Sequence, residues 1–483
     1  MRSISSTCSL LGYSEWVLIG EFWRLFLKKR IDKILILVFL AALIPRVLAA
    51  VYAPHQPWQH WDVAHDVVIA RNLAAGHGFA NEPGHPTAYR YPLLPLILSV
   101  FFRVFGERYI PFMLLQALLG ALTAAMTAQT GKKVFGKPLA LSAGLFTALN
   151  PELISFTRMM LTETLFAFFL ALAGLLLTGF LEKRSFLFAA LSGAVLGAAS
   201  LCRPVALVWE AVFGLFFIVR GENSFSSRVK LLLTMALFTI LPLSPWLYRN
   251  AAVSGKPVLA TSGGITFWLY GHNDAERADE NTVRPLEFMK INEELNPRNY
   301  FTTGEGDPAD MVPVFNMEPS YQAFSFEQRV VDRMEGLNEF EADRELNLMA
   351  MEYIRGNPLP SLKFAFENIM KTFAYTEMSG RMNIVLCMLM PFFFLGVHTL
   401  SVNRSVSWTV FSCLISMLAV HFIFYFDHRF RVPYEPFLAL LGTAGIYRFW
   451  QGNLSVREKI SLIAGVFVPA AVNYFLVWGN PSG

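Results

Sequence analysis

The chain has 483 residues, of which 54% are hydrophobic and 16% are charged, and it includes 44 phenylalanines. Soluble domains carry about 25% charged residues, so this composition indicates an integral membrane protein. The formal net charge of +4 is small, and the absence of a basic block with interleaved aromatics argues against a nucleic-acid partner. Cys8, Cys202, Cys387 and Cys413 are widely spaced, which favours packing roles over a disulfide framework or a zinc site.

Residues 1–32 form a segment ahead of the first apolar run. The stretch "EFWRLFLKKR" mixes apolar and charged residues, and no small-residue cleavage site follows it. A secretory signal peptide needs a continuous apolar core and such a site. We therefore expect a cytoplasmic or interfacial segment that leads into the first span.

Apolar runs long enough to cross a bilayer recur along the rest of the chain. A transmembrane helix needs about 20 apolar residues, and short or proline-broken runs are ambiguous. The runs predict an all-α polytopic membrane protein with about eleven transmembrane helices, within a range of about 9–13. The predicted spans are 33–53, 110–129, 138–154, 160–180, 186–201, 204–219, 229–247, 382–400, 407–426, 432–449 and 460–478.

Basic residues cluster in alternate loops between these spans. Cytoplasmic loops of membrane proteins carry an excess of Lys and Arg. The basic loops are therefore predicted to be cytoplasmic, which places the N-terminus inside and, with an odd number of spans, the C-terminus outside. The residues concerned are Lys28, Lys29, Arg30, Lys33, Lys132, Lys133, Lys137, Lys183, Arg184, Arg228, Lys230, Arg448, Arg457 and Lys459.

This orientation gives the predicted organisation of the chain. After residues 1–32 come a transmembrane module 33–247 with a first external loop 54–109, an extracytoplasmic segment 248–380, and C-terminal transmembrane helices 381–483. The apolar stretch "YPLLPLILSVFFRVFG" in the first external loop is too short to span comfortably. We expect it to lie in the membrane surface.

Two juxtamembrane amphipathic helices and an irregular loop are predicted within the segment 248–380. Residues 275–325 are rich in Asn, Glu, Pro and Gly, and are expected to form a lid or binding loop. Amphipathic helices at this position rest on the bilayer or cap a cavity. Their apolar residues at helical spacing are Leu346, Met349, Tyr353 and Ile354 in the first helix, and Leu362, Ala365, Phe366, Ile369, Met370 and Phe373 in the second.

Two acidic residues fall at the same predicted membrane depth. Asp62 follows the first span, and Glu163 lies about one turn inside the outer end of the fourth. Ionisable groups near the membrane are costly and persist mostly in polar cavities or pairs. A carboxylate at this boundary can act as a general base for a hydroxyl or help to bind a divalent cation. An ordinary loop carboxylate at Asp62 and a first-turn helix acid at Glu163 remain open.

Four arginines are predicted on the same side, against the positive-inside bias. They are Arg158, Arg203 in "LCRPVAL", and Arg429 and Arg431 in "DHRFRVP". A guanidinium stays charged and binds phosphate through two hydrogen bonds, so a phosphate anchored in the outer leaflet would explain them. Contact with anionic headgroups, or pairing with acids such as Asp427, is the alternative.

The first external loop supplies further candidates. Asp66, His85, Tyr89 and Arg90 are candidate acceptor-binding or loop residues. Most of the loop's histidines are expected to be structural or solvated, because their spacing is not that of a metal pair and no HExxH occurs. A divalent metal ion held by Asp62 and Glu163 is left open as a cofactor.

Several motifs together resemble a known family. "WDVAHDVVIARNLAAGHGF", "PTAYRYPLLPLILSVFFRVFG", "LTETLFAFFLAL", "LCRPVAL", "PWLYRNAAVSGKPVLATSGGITFWLYGHNDA" and "RFRVPYEPFLALLGTAGI" occur in this order. In order and spacing they resemble the C-type integral membrane glycosyltransferases, in the bacterial branch related to protein O-mannosyltransferases and the lipid A aminoarabinose transferase. The similarity covers about residues 33–275 and 345–450. It departs from the family at Asp66, where an aromatic is expected, and at Ser262, where "TNGG" is commoner.

The resemblance implies an enzyme of the inner membrane that takes a sugar from a polyprenyl-phosphate donor on the extracytoplasmic face. It implies that Asp62 and Glu163 are the catalytic acids, and that Arg203, Arg429 and Arg431 contact the donor phosphate. Asp62 would then act as general base for an acceptor hydroxyl, with inversion at the sugar. The acceptor is expected to be a lipid, a polysaccharide or a protein, and membrane lipids surround the enzyme.

Two other classes of function remain open. A polytopic transporter of lipids or small solutes has a similar composition, but its ionisable groups are expected near the midplane rather than at one face. A structural subunit of another membrane enzyme would tolerate the substitution Asp62→Asn without loss of activity.

Overall fold

The computed structural model describes residues 32–52, 61–269, 333, 336–374 and 382–474. Within these ranges the side chains of Trp61, Asp62, Ala64, Arg220 and Leu269 are not described. Two predicted features lie outside the described residues: the N-terminal segment before residue 32, and the lid or binding loop 275–325.

Helices make up nearly all of the regular structure in the described residues. In the first part of the chain they are α1 Lys33–Tyr52, α2 Trp61–Ala75, α3 Leu93–Phe105, α4 Ile110–Phe135, α5 Lys137–Ala148, α6 Pro151–Phe156, α7 Glu163–Lys183, α8 Phe186–Ser200, α9 Val205–Arg220, α10 Phe225–Ser254 and α11 Gly263–Leu269. In the second part they are α12 Glu339–Gly356, α13 Pro358–Lys371, α14 Ile384–Leu389, α15 Phe393–Leu400, α16 Arg404–Ile423, α17 His428–Arg431, α18 Glu435–Trp450 and α19 Val456–Val472. Strands β1 Ala80–Glu82 and β2 His85–Pro86 form a small antiparallel hairpin.

The helices confirm the predicted class, an all-α polytopic membrane protein. Among the described residues, five helices are long and apolar enough to cross a membrane, namely α1, α4, α7, α10 and α16. Shorter apolar helices cover Leu93–Phe105, Phe186–Ser200, Val205–Val219 and Ile384–Leu400. Within the described residues each predicted span overlaps helical residues, while the number of spans remains a prediction.

Short polar and proline signals determine where the helices begin. Ser185, Ser224 and Asn403 each accept a backbone N–H in the first turn of the following helix, which satisfies one of the amides that a helix start leaves free. Pro391 interrupts the predicted span 382–400, because proline has no N–H for the helix ladder, and a short 3-10 segment separates α14 from α15.

The core forms where α7, α8, α9, α16 and α18 pack together. The indole N–H of Trp209 in α9 donates to the hydroxyl of Ser412 in α16, 3.0 Å away. Gly193 lets α8 approach α10 closely, because a Cβ at this position would overlap the carbonyl oxygen of Met235. Small residues at such crossings are typical of membrane helix packing.

Residues 61–109 lie at one end of the helices, which we call the loop side. Here α2 packs against α3, and α3 buries Leu94, Leu98 and Phe102 while Val100 and Val104 are exposed. The predicted surface helix thus has one apolar face packed on the protein and another apolar face exposed, which suits a helix in contact with lipid. The turn before α7 and the residue Val432 share the same apolar cluster.

The basic loops that were predicted to be cytoplasmic are tied together at the other end, which we call the opposite end. Lys133 pairs with Glu182 at 2.7 Å, and Glu222 pairs with both Arg184 and Arg404, at 2.5 and 3.0 Å. These contacts connect the ends of α4 and α7 with the start of α16. Lys133, Arg184 and Arg404 therefore lie on the side away from residues 61–109.

Two further helices, α12 and α13, cover the loop side as predicted. In α12 Leu346 is buried, in agreement with the predicted apolar face. In α13 Ala365 is buried, whereas Leu362 and Phe366 are 45% and 56% exposed. The predicted apolar face of α13 is thus only partly packed on the protein, which suits a helix that also contacts lipid.

Candidate functional site

The centre of the site is the carboxylate of Glu163, the first residue of α7, whose side chain is wholly buried. Its Oε1 atom accepts a hydrogen bond from Nη2 of Arg203 at 2.6 Å and another from Nε of Arg429 at 2.9 Å. Nε of Arg203 also donates to the hydroxyl of Thr162, 2.8 Å away. One carboxylate is therefore paired with two guanidinium groups.

Local structure explains how two distant arginines reach the same acid. Arg203 lies in the turn between α8 and α9, where Pro204 prevents α8 from continuing. Arg429 lies in the four-residue helix α17, and the carboxylate of Asp427 caps this helix by accepting the backbone N–H of Arg429 at 2.9 Å. Asp427, considered above as a partner for the arginine side chains, is thus the helix cap.

The two arginines, and not the acid, reach the surface of the cluster. The side chains of Arg203 and Arg429 are 14% and 10% exposed, whereas that of Glu163 is 0% exposed. Among the described residues, Oε2 of Glu163 has no hydrogen-bond partner. The rings of Phe166 and Phe430 lie 6.0 and 5.4 Å from the guanidinium carbon of Arg203. A group that approaches from outside meets positive charge lined by aromatic rings, which favours an anion.

A second ion pair lies in the first loop. Arg90 donates to both carboxylate oxygens of the buried Asp66, from Nε at 3.1 Å and from Nη2 at 3.0 Å. Tyr89 is buried beside His65, with ring centroids 5.4 Å apart. His85 is exposed in β2. The structure thus separates the four predicted loop residues into an ion pair, a buried aromatic and an exposed histidine.

Tyr91 is close enough to interact electrostatically with Arg90 and Arg203, and the sequence did not identify it. Burial, reinforced by the carboxylate of Asp343, raises the pKa of the Tyr91 hydroxyl to about 12, while Arg90 and Arg203 oppose this shift. The hydroxyl also hydrogen bonds with Ser262. The Asp66–Arg90 pair and the Glu163 cluster are therefore electrostatic neighbours of the same tyrosine. Its only sequence signal is its position next to Arg90.

Helix α12 covers the first loop from outside. Glu339 accepts hydrogen bonds from the hydroxyl of Thr87 at 2.7 Å and from the N–H of Ala88 at 3.0 Å. Asp343 accepts from the N–H of Gly264 at 2.5 Å. Burial raises the pKa of Asp343 to about 6, the Gly264 N–H opposes this rise, and Glu339 adds to it. The segment 248–380 thus holds the strand-to-helix connection that carries Arg90.

The remaining predicted residues lie elsewhere or are only partly described. Position 62 is in the first turn of α2, one turn before Asp66, and the side chain of Asp62 lies outside the described residues. Arg158 is half-buried in the turn after α6. Arg431 is wholly buried and contacts Glu152 and Glu435 instead of joining Arg429 at Glu163. Glu163, Arg203 and Arg429 are the predicted residues that the structure brings together.

The described residues around Glu163 do not favour a cation. No group of three or more His, Cys, Asp or Glu side chains that could hold a metal ion occurs within the described part of the chain. Both bonds to Oε1 of Glu163 come from positively charged donors, which would repel a divalent ion nearby. A metal held by Asp62 and Glu163 therefore stays a prediction from the sequence.

Residues 84–248 match the protein family described as dolichyl-phosphate-mannose-protein mannosyltransferase. The matched segment includes Arg90, Glu163 and Arg203. Over these residues the chain is thus similar to protein mannosyltransferases, which agrees with the resemblance seen in its motifs.

One curated relative and two solved structures are also similar to this chain. The Bacillus subtilis protein named "Putative mannosyltransferase YycA" is 26% identical over 262 residues, which cover 52% of this chain and 37% of that protein. The aligned part is thus little more than a third of the relative's length. The oligosaccharyltransferase of Archaeoglobus fulgidus in its apo form is 12% identical, with a TM-score of 0.46 over 91% of this chain and 55% of that chain. ArnT of Cupriavidus metallidurans bound to undecaprenyl phosphate is 13% identical, with a TM-score of 0.40 over 86% of this chain and 78% of that chain.

Proposed function

We propose that this protein is a polyprenyl-phosphate-sugar-dependent glycosyltransferase that transfers a sugar to an acceptor hydroxyl at the loop side of the membrane. The observation that carries this proposal is the cluster of one buried carboxylate and two partly exposed guanidinium groups at the start of α7. The family match over residues 84–248 supports the same class of donor. A donor that is anchored in the membrane also explains why the site lies at the end of a span.

The loop side is extracytoplasmic in this proposal, and the N-terminus is cytoplasmic. The ion pairs that join the basic loops at the opposite end support this orientation, since basic loops favour the cytoplasmic side. The protein is then a multi-pass protein of the inner membrane. Its site opens at the level of the outer headgroups, where the phosphate of a polyprenyl carrier is located.

Arg203 and Arg429 bind the donor phosphate and stabilise it as it leaves. Both guanidinium groups have one N–H held by Glu163, and each side chain retains some exposure for a further partner. Glu163 is a positioning residue, because a wholly buried acid cannot reach an acceptor. By fixing both arginines before the donor arrives, it provides preorganised positive charge where negative charge develops on the departing phosphate.

Asp62 is the general base for the acceptor hydroxyl. Its backbone lies one turn before Asp66 in α2. The Asp66–Arg90 ion pair joins this helix to the segment that precedes α3. The hydroxyl oxygen attacks the anomeric carbon as the bond to the lipid phosphate breaks, and its proton passes to Asp62. Attack opposite the leaving phosphate inverts the configuration of the sugar. The acceptor is a lipid, a polysaccharide or a protein, and Arg90 is a candidate residue for binding it.

A donor-release assay tests the proposal. The purified full chain is incubated with a panel of polyprenyl-phosphate sugars and candidate acceptors, and free polyprenyl phosphate is measured. We expect release by the wild type and a loss of about 100-fold or more in Asp62→Asn, as is typical when a general base is removed. The matched control is Glu107→Gln, which alters another first-loop carboxylate, 52% exposed and paired with Arg71.

Two outcomes would overturn parts of this proposal. Turnover by Asp62→Asn at the wild-type rate would remove Asp62 from the role of base. Failure of the wild type to release polyprenyl phosphate from any donor, together with uptake of a labelled lipid or solute by vesicles containing the protein, would favour a transporter.

A further inference from the structure

A second buried charged cluster lies next to the site, and it surrounds Arg431 of α17. The side chain of Arg431 is 0% exposed. Nη1 donates to the carbonyl oxygen of Ala374 at 2.6 Å, Nη2 lies 3.6 Å from a carboxylate oxygen of Glu152, and Nε lies 3.7 Å from one of Glu435. A buried guanidinium is strongly destabilising unless acids and hydrogen bonds compensate it. Here the compensation comes from residues before α14, in α6 and in α18.

Asparagine side chains fix the two acids of this cluster. Asn150 caps α6 through its side-chain oxygen and donates its amide N–H to Glu435. Asn383 caps α14 in the same way and donates to Glu152 at 3.3 Å. Each amide thus uses its oxygen for a helix start and its nitrogen for a carboxylate. The acids that hold Arg431 are therefore fixed by contacts at the starts of α6, α14 and α18.

Helix α17 depends on these contacts for its position. It has four residues, so it contains about one turn and gains little from its own backbone hydrogen bonds. Arg429 and Arg431 are two positions apart in it, and they contact different acids: Arg429 contacts Glu163, and Arg431 contacts Glu152 and Glu435. A shift of one arginine displaces the other.

Burial distinguishes the roles of these two arginines. The sequence grouped Arg431 with Arg203 and Arg429 as phosphate contacts. In the structure Arg203 and Arg429 retain 14% and 10% exposure, whereas Arg431 retains none. A ligand that reached Arg431 would have to displace the buried acids around it.

We infer that Arg431 is a positioning residue, which with Glu152 and Glu435 holds α17 so that Arg429 meets Glu163. This inference rests on the proposed function only for its catalytic readout. Arg431 touches neither donor nor acceptor and acts on the reaction through Arg429.

A double-mutant cycle on turnover tests the inference. The variants are Arg431→Lys, Arg429→Lys and the double variant, because lysine keeps the charge and loses the planar fork of the guanidinium. Turnover is expressed per folded molecule, with the folded fraction taken from gel filtration. We expect each single variant to lose about 100-fold in kcat, the effect of a displacement of about 1 Å. We expect the double variant to be no slower than Arg429→Lys alone.

The matched control is Arg404→Lys, an arginine in an exposed ion pair at the opposite end, which should leave kcat unchanged. Independent, multiplying losses in the double variant would show that Arg431 acts on its own, as a phosphate ligand would. Unchanged kcat per folded molecule in Arg431→Lys would show a merely structural role. Should Arg431→Lys fail to fold, Glu435→Gln replaces it in the cycle, since glutamine keeps the shape of the side chain and an oxygen for Asn150.

Thermal unfolding separates failure of this inference from failure of the proposed function. If the wild type turns over no donor, the proposed function fails, and the geometry is tested by the unfolding temperatures of Arg431→Lys, Glu163→Gln and their combination. If Arg431 holds Arg429 against Glu163, the combined loss is smaller than the sum of the two single losses. Additive losses would overturn the positioning role.

Discussion

Replacing Glu163 by glutamine removes the negative charge at the centre of the site while keeping its shape. The wild-type carboxylate is wholly buried and is bonded to Arg203 at 2.6 Å and to Arg429 at 2.9 Å. Removing one member of a buried ion pair costs about 3–5 kcal/mol, because the remaining charge stays buried without compensation. Glutamine retains an oxygen that can accept both N–H groups, and the charged guanidinium donors still strengthen these bonds. We therefore expect a loss near the lower end of this range, about 3 kcal/mol.

The same substitution predicts an unusual response to ligand. With Glu163 neutral, the site around the two guanidinium groups gains one unit of positive charge. An anion that binds there compensates them and stabilises the folded state in proportion to its affinity. Addition of polyprenyl phosphate should raise the unfolding temperature of Glu163→Gln by more than it raises that of the wild type.

Unfolding in detergent, followed with and without polyprenyl phosphate, measures both effects. The matched control is Glu182→Gln, which alters the acid near the other end of the same helix. Glu182 is 38% exposed and pairs with Lys133, and exposed pairs contribute about 0–1 kcal/mol. Equal stability of Glu163→Gln and the wild type, or equal stabilisation of both by the lipid phosphate, would refute the assignment of this cluster as an anion site.

Three further predictions concern the framework of the site. Burial raises the pKa of Asp343 from its ordinary 3.8 to about 6. The protonated side chain therefore stabilises the folded state fully below about pH 4, and this stabilisation is lost as the pH rises through about 6. Relative to Asp343→Asn, the free energy of unfolding of the wild type should fall across this window by at most about 3 kcal/mol, seen as a lower unfolding temperature. Gly193→Ala should lose about 1–3 kcal/mol in chemical denaturation because its Cβ overlaps the Met235 carbonyl, whereas Gly214→Ala, whose nearest neighbour lies 3.7 Å away, should be close to neutral. Arg249→Lys should lower the unfolding temperature, since Arg249 donates to two first-loop carbonyl oxygens at 2.5 and 2.7 Å and lysine lacks the planar fork to reach both.

Local signals in the sequence were sufficient for most of the helices. The apolar run starting at Lys33 predicted a span that ends within one residue of α1, and the fourth predicted span overlaps α7 with its start displaced by three residues. Helix α13 was predicted from spacing alone, but the packed side of that helix was not. Its buried residues include Ser361 and Asn368, and only the position of neighbouring helices decides that polar side chains are enclosed there.

The grouping of charged residues was less predictable than the helices. Membrane depth correctly brought Arg203 and Arg429 to the same end as Glu163, because depth follows from span boundaries. Depth could not distinguish Arg429 from Arg431, which have equal depth and different partners. Glu152 was missed because "NPE" is also an ordinary helix start, with an asparagine cap, a proline in the first turn and an acid near the positive end of the helix.

The exposed fraction of each side chain separates the enclosed charged residues from those that a ligand can reach, which their positions in the sequence do not do. Glu163 and Arg431 are wholly enclosed, and each holds a partly exposed neighbour or the element that carries it. Arg203 and Arg429 keep 14% and 10% exposure, so they are the members of the cluster that an incoming group can touch. An enclosed acid between two guanidinium groups cannot be the base that meets an acceptor hydroxyl. If the proposed reaction takes place here, the base must come from another element, and α2 supplies the candidate at position 62.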